Sequence, residues 1–208
     1  MKVSNYIVLA FFVFIIGCTL ILFISAKGHE DYNSFTDKEY FIDKEFSLDS
    51  VKVIVAEQGA SLALRVSDKS SLSIRYSKDG GELEFLYRIS NDTLFVPKVE
   101  TSAGMYYGIN VRVRYLSSIV AKNNSSIRID SLSSDNLKIN AEQARVSIYN
   151  TTVNEMVIEA IHSEISISSA TISSIFAKLE NESRFSIDSK GISKIDVEKD
   201  QNSRYSAY

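Results

Sequence analysis

The chain has 208 residues, 45% hydrophobic and 24% charged, with a formal net charge of −3 and a pI near 5.5. That balance carries no basic footprint, so nucleic acid is not expected as a partner. Cys18 is the only cysteine, so the chain beyond it has no disulfide and no thiolate site, and two histidines, His29 and His162, are too few to suggest zinc.

Taken in order, residues 6–26 (YIVLAFFVFIIGCTLILFISA) form an uncharged run between Lys2 and Lys27. A run of that length spans a bilayer core of about 30 Å. Three readings compete. An uncleaved single-pass anchor is preferred, because the run exceeds the usual signal h-region. A lipoprotein signal, with Cys18 as the lipidated residue of Ile15-Ile16-Gly17-Cys18, is weakened by the apolar residues that follow it. A cleaved secretory signal ending near Ala26 is the third. All three send the rest of the chain out of the cytoplasm, and Lys2 on the inner side agrees with that orientation. The expected location is therefore the cell membrane, with the domain on the extracytoplasmic, periplasmic side.

Residues 28–45 are polar and charged and read as a tether, although Tyr40 and Phe41 are candidates to begin packing. The domain is expected over 46–208, with a hairpin and cap section at 67–108. Strands are predicted at 51–55 and 61–66 around a turn at 57–60, then at 71–76, 83–89 and 93–96, with turns at 79–81 and 90–92 between them. The segment VIVAEQGASLAL (53–64) resembles LKINAEQARVSI (137–148), which marks 51–66 as a detached first coil. The cap section is expected to place antiparallel hairpins over the open end of that coil. After a loop at 101–108, residues 109–115 alternate strictly and feed the repeats.

Five triplets recur from there: Ile127-Arg128-Ile129, Val146-Ser147-Ile148, Ile165-Ser166-Ile167, Phe185-Ser186-Ile187 and Tyr205-Ser206-Ala207. Their last members are 19, 19, 20 and 20 residues apart. Leu137, Met156, Ile175 and Ile195 keep the same step, as do Ile139, Ile158, Ala177 and Val197. A looser column runs Leu116, Leu132, Val153, Ile172 and Ile192. Apolar residues two apart make half-buried strands, and a period near 20 is that of a solenoid. The predicted fold is all-β: a single-chain, right-handed parallel β-helix of roughly three-sided 19–20-residue coils, preceded by an N-terminal hairpin section and a transmembrane helix. An antiparallel sandwich gives similar local patterns but does not require equal steps in several columns at once.

The order of strand, turn and strand at 46–66, the hairpins ending in Asn91-Asp92-Thr93-Leu94-Phe95-Val96, Val111-Arg112-Val113-Arg114-Tyr115-Leu116-Ser117-Ser118-Ile119 and the repeats after it resemble one bacterial family, the auto-transporter adhesin head GIN domains. The resemblance covers about 46–208. It implies an envelope protein with a rigid, exported β-helical domain and no catalytic motif. This chain departs at its turns. The family often has Gly-Ser there, whereas here stand Asn123-Asn124-Ser125, Glu142-Gln143-Ala144, His162-Ser163-Glu164 and Asn181-Glu182-Ser183. Asn enters the left-handed conformation that such turns need, and Gln and His do so less readily.

No catalytic or metal site is predicted, and no cofactor. Glycoside hydrolysis needs two carboxyl groups about 5 to 9.5 Å apart in a cleft. Glu142, Glu159, Glu164, Glu180, Glu182 and Glu198 could align across coils, but they fall in turns or alternate with inward apolar residues, mostly near Lys138, Lys178, Lys194 or Lys199, as on a mixed-charge solvated face. His162, in a turn, reads as a polar surface residue. The candidate binding strip is the outward residue of each triplet: Arg128, Ser147, Ser166, Ser186 and Ser206. The expected function is a non-enzymatic, membrane-anchored, adhesin-like or structural module of the cell envelope. Its expected partners are the membrane through 6–26, a glycan or envelope protein, and a second copy through the C-terminal coil. The alternatives are a carbohydrate-active enzyme and an envelope sensor or partner-docking domain.

Overall fold

The computed structural model describes residues 40–101, 107–188 and 190–208. The predicted anchor, with Cys18, and His29 lie outside them. No helix among the described residues is long and apolar enough to cross a membrane. Ile42–Tyr208 form one compact unit.

That unit is built of two sheets. In the first, in spatial order, lie β1 (Phe41–Ser47), β4 (Ser71–Ser77), β7 (Tyr107–Val113), β3 (Ser61–Val66), β9 (Ser126–Asp130), β11 (Arg145–Tyr149), β13 (Glu164–Ser168), β15 (Arg184–Ile187) and β17 (Arg204–Ala207). In the second lie β16 (Ile192–Lys199), β14 (Thr171–Glu180), β12 (Thr152–Ile161), β10 (Ser133–Glu142), β8 (Ser118–Lys122), β2 (Val53–Ala56), β6 (Thr93–Val96) and β5 (Arg88–Ser90). From β8 onward the chain alternates between the sheets, and each new strand pairs in parallel with the one a coil earlier. Ile148 lies between Ile129 and Ile167, and the stack continues through Ile187 to Ala207. The fold is an all-β parallel solenoid of about four consecutive turns with ~20-residue coils.

Each strand buries alternate residues, because successive side chains point to opposite faces. One inner column of the first sheet runs Leu62, Ile127, Val146, Ile165 and Phe185, all at most 3% exposed. The second sheet contributes Ile54, Ile119, Ile139, Ile158 and Ala177, all fully buried. The detached first coil is real: β2 and β3 stack on β8 and β9, with Ile54 beside Ile119 and Leu64 beside Ile129, across an intervening excursion of the chain.

Four expectations need correction. The coil has two sheets rather than three sides; the third side survives as a corner in the long strands, where pairing skips Asp135, Asn154 and Ser173. The loose column mixed two registers: Val153 pairs with Ser134, not Leu132, so Leu132 belongs to the preceding position. The cap section is only partly antiparallel. β6 and β7 run parallel to β2 and β3 as a further level, while β4 and β5 supply the antiparallel strands and 83–87 contains no strand. Its apolar residues pack instead, Phe46, Phe85 and Tyr87 meeting with ring centroids 5.2 to 6.4 Å apart. Finally, β1 occupies Phe41–Ser47, so ordered sheet begins inside the 28–45 stretch.

The step from Ile167 to Ile187, the first of 20 residues, has a local cause. Between second-sheet and first-sheet strands, the links Gln143-Ala144 and His162-Ser163 hold one left-handed residue each, Gln143 (φ 52°) and His162 (φ 49°). The links Asn123-Asn124-Ser125 and Asn181-Glu182-Ser183 hold two, at φ 52° and 63° and at φ 56° and 66°. At 181–183 the further left-handed residue accounts for the extra residue of that coil, whereas the last coil gains its extra residue in the link 200–203 with no left-handed residue. Gln and His therefore do adopt the conformation for which other chains use Gly.

Candidate functional site

Behind the links, a buried column of small residues ties the coils together. It includes Ala60, Ser125, Ala144, Ser163, Ser183 and Ser203, none more than 8% exposed. The Ala144 N–H donates to Ser163 Oγ (3.0 Å), the Ser163 N–H to Ser183 Oγ (3.2 Å) and the Ser183 N–H to Ser203 Oγ (3.1 Å). The hydroxyls of Ser163 and Ser183 donate in turn to the carbonyls of Ile161 (2.8 Å) and Glu180 (2.6 Å). A tight link turns its N–H groups inward, where water cannot reach them, and the serine of the next coil satisfies them. The seryl ladder was legible only as "polar turn", because sequence alone does not say which side of a turn faces inward.

The ladder holds the outer face of the first sheet in register. The predicted strip exists as a column: Arg128, Ser147, Ser166, Ser186 and Ser206 are successive cross-strand partners. Ser147, Ser166 and Ser186 are half-buried, and Ser166 Oγ donates to Ser147 Oγ at 3.1 Å. The Arg128 guanidinium lies over the Tyr149 ring, 4.6 Å from its centroid. Flanking the strip on one side is the column Arg145, Glu164, Arg184 and Arg204. Arg145 Nε donates to Glu164 Oε2 at 3.0 Å.

Followed toward β1, the column continues through Ala63, Asn110 and Ser73, which sequence reading did not include. Here the wall sinks into a depression of about 670 Å³. Its floor is made of small side chains, Ser61, Ala63, Ser73, Gly108 and Asn110, and its rim carries Arg75, Arg112 and Arg128 with Asp43 and Glu45. Rim groups are held by one another. Arg75 binds Asp43 through two parallel bonds, Nε to Oδ1 at 2.7 Å and Nη2 to Oδ2 at 2.9 Å, and Arg112 Nη1 reaches Glu45 Oε1 at 3.4 Å. Beside the rim, Arg65 pairs with Asp130 at 3.3 Å. Bonds from Asn150 and Ser131, with the charges of Arg65 and Arg128, hold the Asp130 carboxyl below its ordinary range.

The carboxylates weighed for hydrolysis are mostly engaged elsewhere. Glu142, Glu159, Glu164 and Glu180 each pair with a cation, Lys122, Lys138, Arg145 and Lys178, at 2.7 to 3.9 Å. Glu159 and Glu198 are separated by the intervening Lys178. Glu182 and the exposed His162 line a second shallow depression over the links. Among the described residues, no group of three or more His, Cys, Asp or Glu could hold a metal ion.

No protein-family model matches the chain, and no curated protein does. Solved structures do. A putative adhesin from Bacteroides fragilis is 12% identical, with a TM-score of 0.54, over 82% of this chain and 98% of that one. A putative adhesin from Parabacteroides distasonis, at 9% identity, covers 81% of this chain and 94% of that one with a TM-score of 0.48. A putative lipid binding protein from the same organism is 12% identical over 82% of this chain and 93% of that one, with a TM-score of 0.41. At such identities the likeness is one of fold, and the fold that this chain shares with the B. fragilis protein is the one its repeats point to.

Proposed function

We propose that the domain is a non-enzymatic, adhesin-like binding module of the bacterial envelope, exported and kept at the membrane by residues 6–26, that presents the outer face of its first sheet to a glycan or envelope protein. One observation carries the reading: a column that is polar at every level but Ala63, from Ser73 to Ser206, runs in register along the wall and contains no ion-paired carboxylate of its own. Uniform strand spacing of about 4.8 Å gives that wall a fixed repeat against which an extended partner can register. The name of the B. fragilis neighbour supports the adhesin-like half of the reading, and the resemblance to head GIN domains supports the envelope setting. We read the winding as right-handed, since parallel crossovers in one sheet nearly always are.

The test is protease treatment of intact and of outer-membrane-permeabilised cells carrying the full chain. Cleavage in either state is expected. Complete protection in both would remove the exported location and the proposal with it.

A further inference from the structure

We propose that the depression at the β1 end of the wall is a subsite for an acidic saccharide unit, one sugar ring with vicinal hydroxyls and a carboxylate. The inference rests on the wall being a glycan-binding face and names the chemistry of the ligand. Three features of the depression select that class.

The floor comes first. Ser61, Ala63, Ser73 and Gly108 expose little beyond their backbone, so a flat ring can settle against the sheet itself. The rim supplies the second feature. Arg75 with Asp43, and Arg112 with Glu45, set donors beside acceptors in fixed pairs. Vicinal hydroxyls each donate and accept, so such mixed pairs match them, and the existing ion pairs hold the groups in place before a ligand arrives.

Charge is the third. Three arginines, Arg75, Arg112 and Arg128, line the depression, and Arg65 stands beside its rim. Arg65, Arg75 and Arg112 each have a carboxylate, Asp130, Asp43 and Glu45. Arg128 has no carboxylate within ion-pair distance among the described residues; it acts on Asp130 through its charge alone, and its exposed guanidinium rests on the Tyr149 ring. The lining thus carries three arginines against two carboxylates, Asp43 and Glu45, and the arginine left over, Arg128, stands next to Ala63 on the floor. A guanidinium fork takes a carboxylate through two parallel bonds, which makes the missing partner an acid on the ligand.

The experiment is calorimetric titration of the full chain in detergent with a galacturonic acid trisaccharide, its carboxyl-reduced neutral form, and a polyglutamate of equal charge. The uronate is expected to bind, and the neutral form to bind about ten-fold or more weakly, the scale of a charge-assisted bond lost. Arg128→Gln should bring the uronate down to the neutral sugar's level, Arg128→Lys should recover part of the loss, and Lys194→Gln, exposed on the second sheet, should change nothing. Ala63→Trp should abolish both by filling the floor. Circular dichroism of each variant separates misfolding from lost binding. Equal binding of acid and neutral sugar overturns the carboxylate assignment while leaving the glycan-binding wall intact. Polyglutamate binding as tightly as the uronate overturns the saccharide subsite in favour of plain charge attraction. No binding of either sugar overturns the subsite, and the wall then stands or falls by partners other than these sugars.

Discussion

Ser183 and Ser125 occupy equivalent positions and do opposite things. Ser183 Oγ accepts from the Ser163 N–H and donates to the Glu180 carbonyl, with no exposure to solvent. Ser125 Oγ is buried without a partner, because the Ala60 N–H below it already donates to Glu57 within its own turn at 3.0 Å. Ser183→Ala strands an inward N–H and is expected to cost about 1–3 kcal/mol, whereas Ser125→Ala removes an unmet hydroxyl and is expected to be neutral or slightly stabilising. Urea unfolding of the pair checks this; equal losses would show that the hydroxyls do not complete the links. In the core, Ile148→Ala should cost about 2–5 kcal/mol, since the side chain is fully buried between Ile129 and Ile167. At this scale the sequence was legible wherever alternation fixes burial, as at 146–148. It was not legible at Ser125, Ser163, Ser183 and Ser203, whose polarity masks their burial.

Elements are set by their links. His162 sits at φ 49°, a conformation that costs an L-residue about 1–2 kcal/mol. His162→Gly should therefore stabilise the domain slightly, and His162→Val should destabilise it, measured by thermal melting; the reverse order would contradict the left-handed link. Gly191 makes the opposite case. Its φ of 81° and a Cβ position only 2.8 Å from the Ala170 carbonyl oxygen leave no room for alanine, so Gly191→Ala is expected to loosen the β14–β16 stack. Acid acts on the links and pairs as well. Asp92 is held below the ordinary carboxylate value of 3.8 by Lys52, Asp130 by Asn150 and Ser131, and Asp200 by Ser203 and the Asn181 N–H. Folded values below unfolded ones mean that these groups stabilise the fold above that pH and lose the contribution as pH falls through the lowered values. Melting temperature should fall below about pH 4, and Asp130→Asn should soften that fall. The expected pairing failed where an element depends on distant partners. β6 looks like a hairpin strand in isolation, and only its parallel pairing with β2 makes it another level of the ladder.

For the molecule as a whole, the repeat made the solenoid readable because a constant step needs neighbours stacked at equal height. The depression was not readable. It gathers Asp43, Ser61, Ser73, Asn110 and Arg128 from five strands that lie far apart in the chain, and no local pattern announces their meeting. The claim on which the account turns is that one wall binds and the other does not. A large side chain placed on each wall in turn tests it most directly, with glycan-array binding of the full chain as the readout. Ser166→Trp, in the middle of the polar column, should lose about ten-fold or more of the binding that the unaltered chain shows, while Glu155→Trp, outward on the second sheet, should leave it unchanged. Loss of binding in Glu155→Trp with none in Ser166→Trp would place the binding face on the wrong wall and contradict the account.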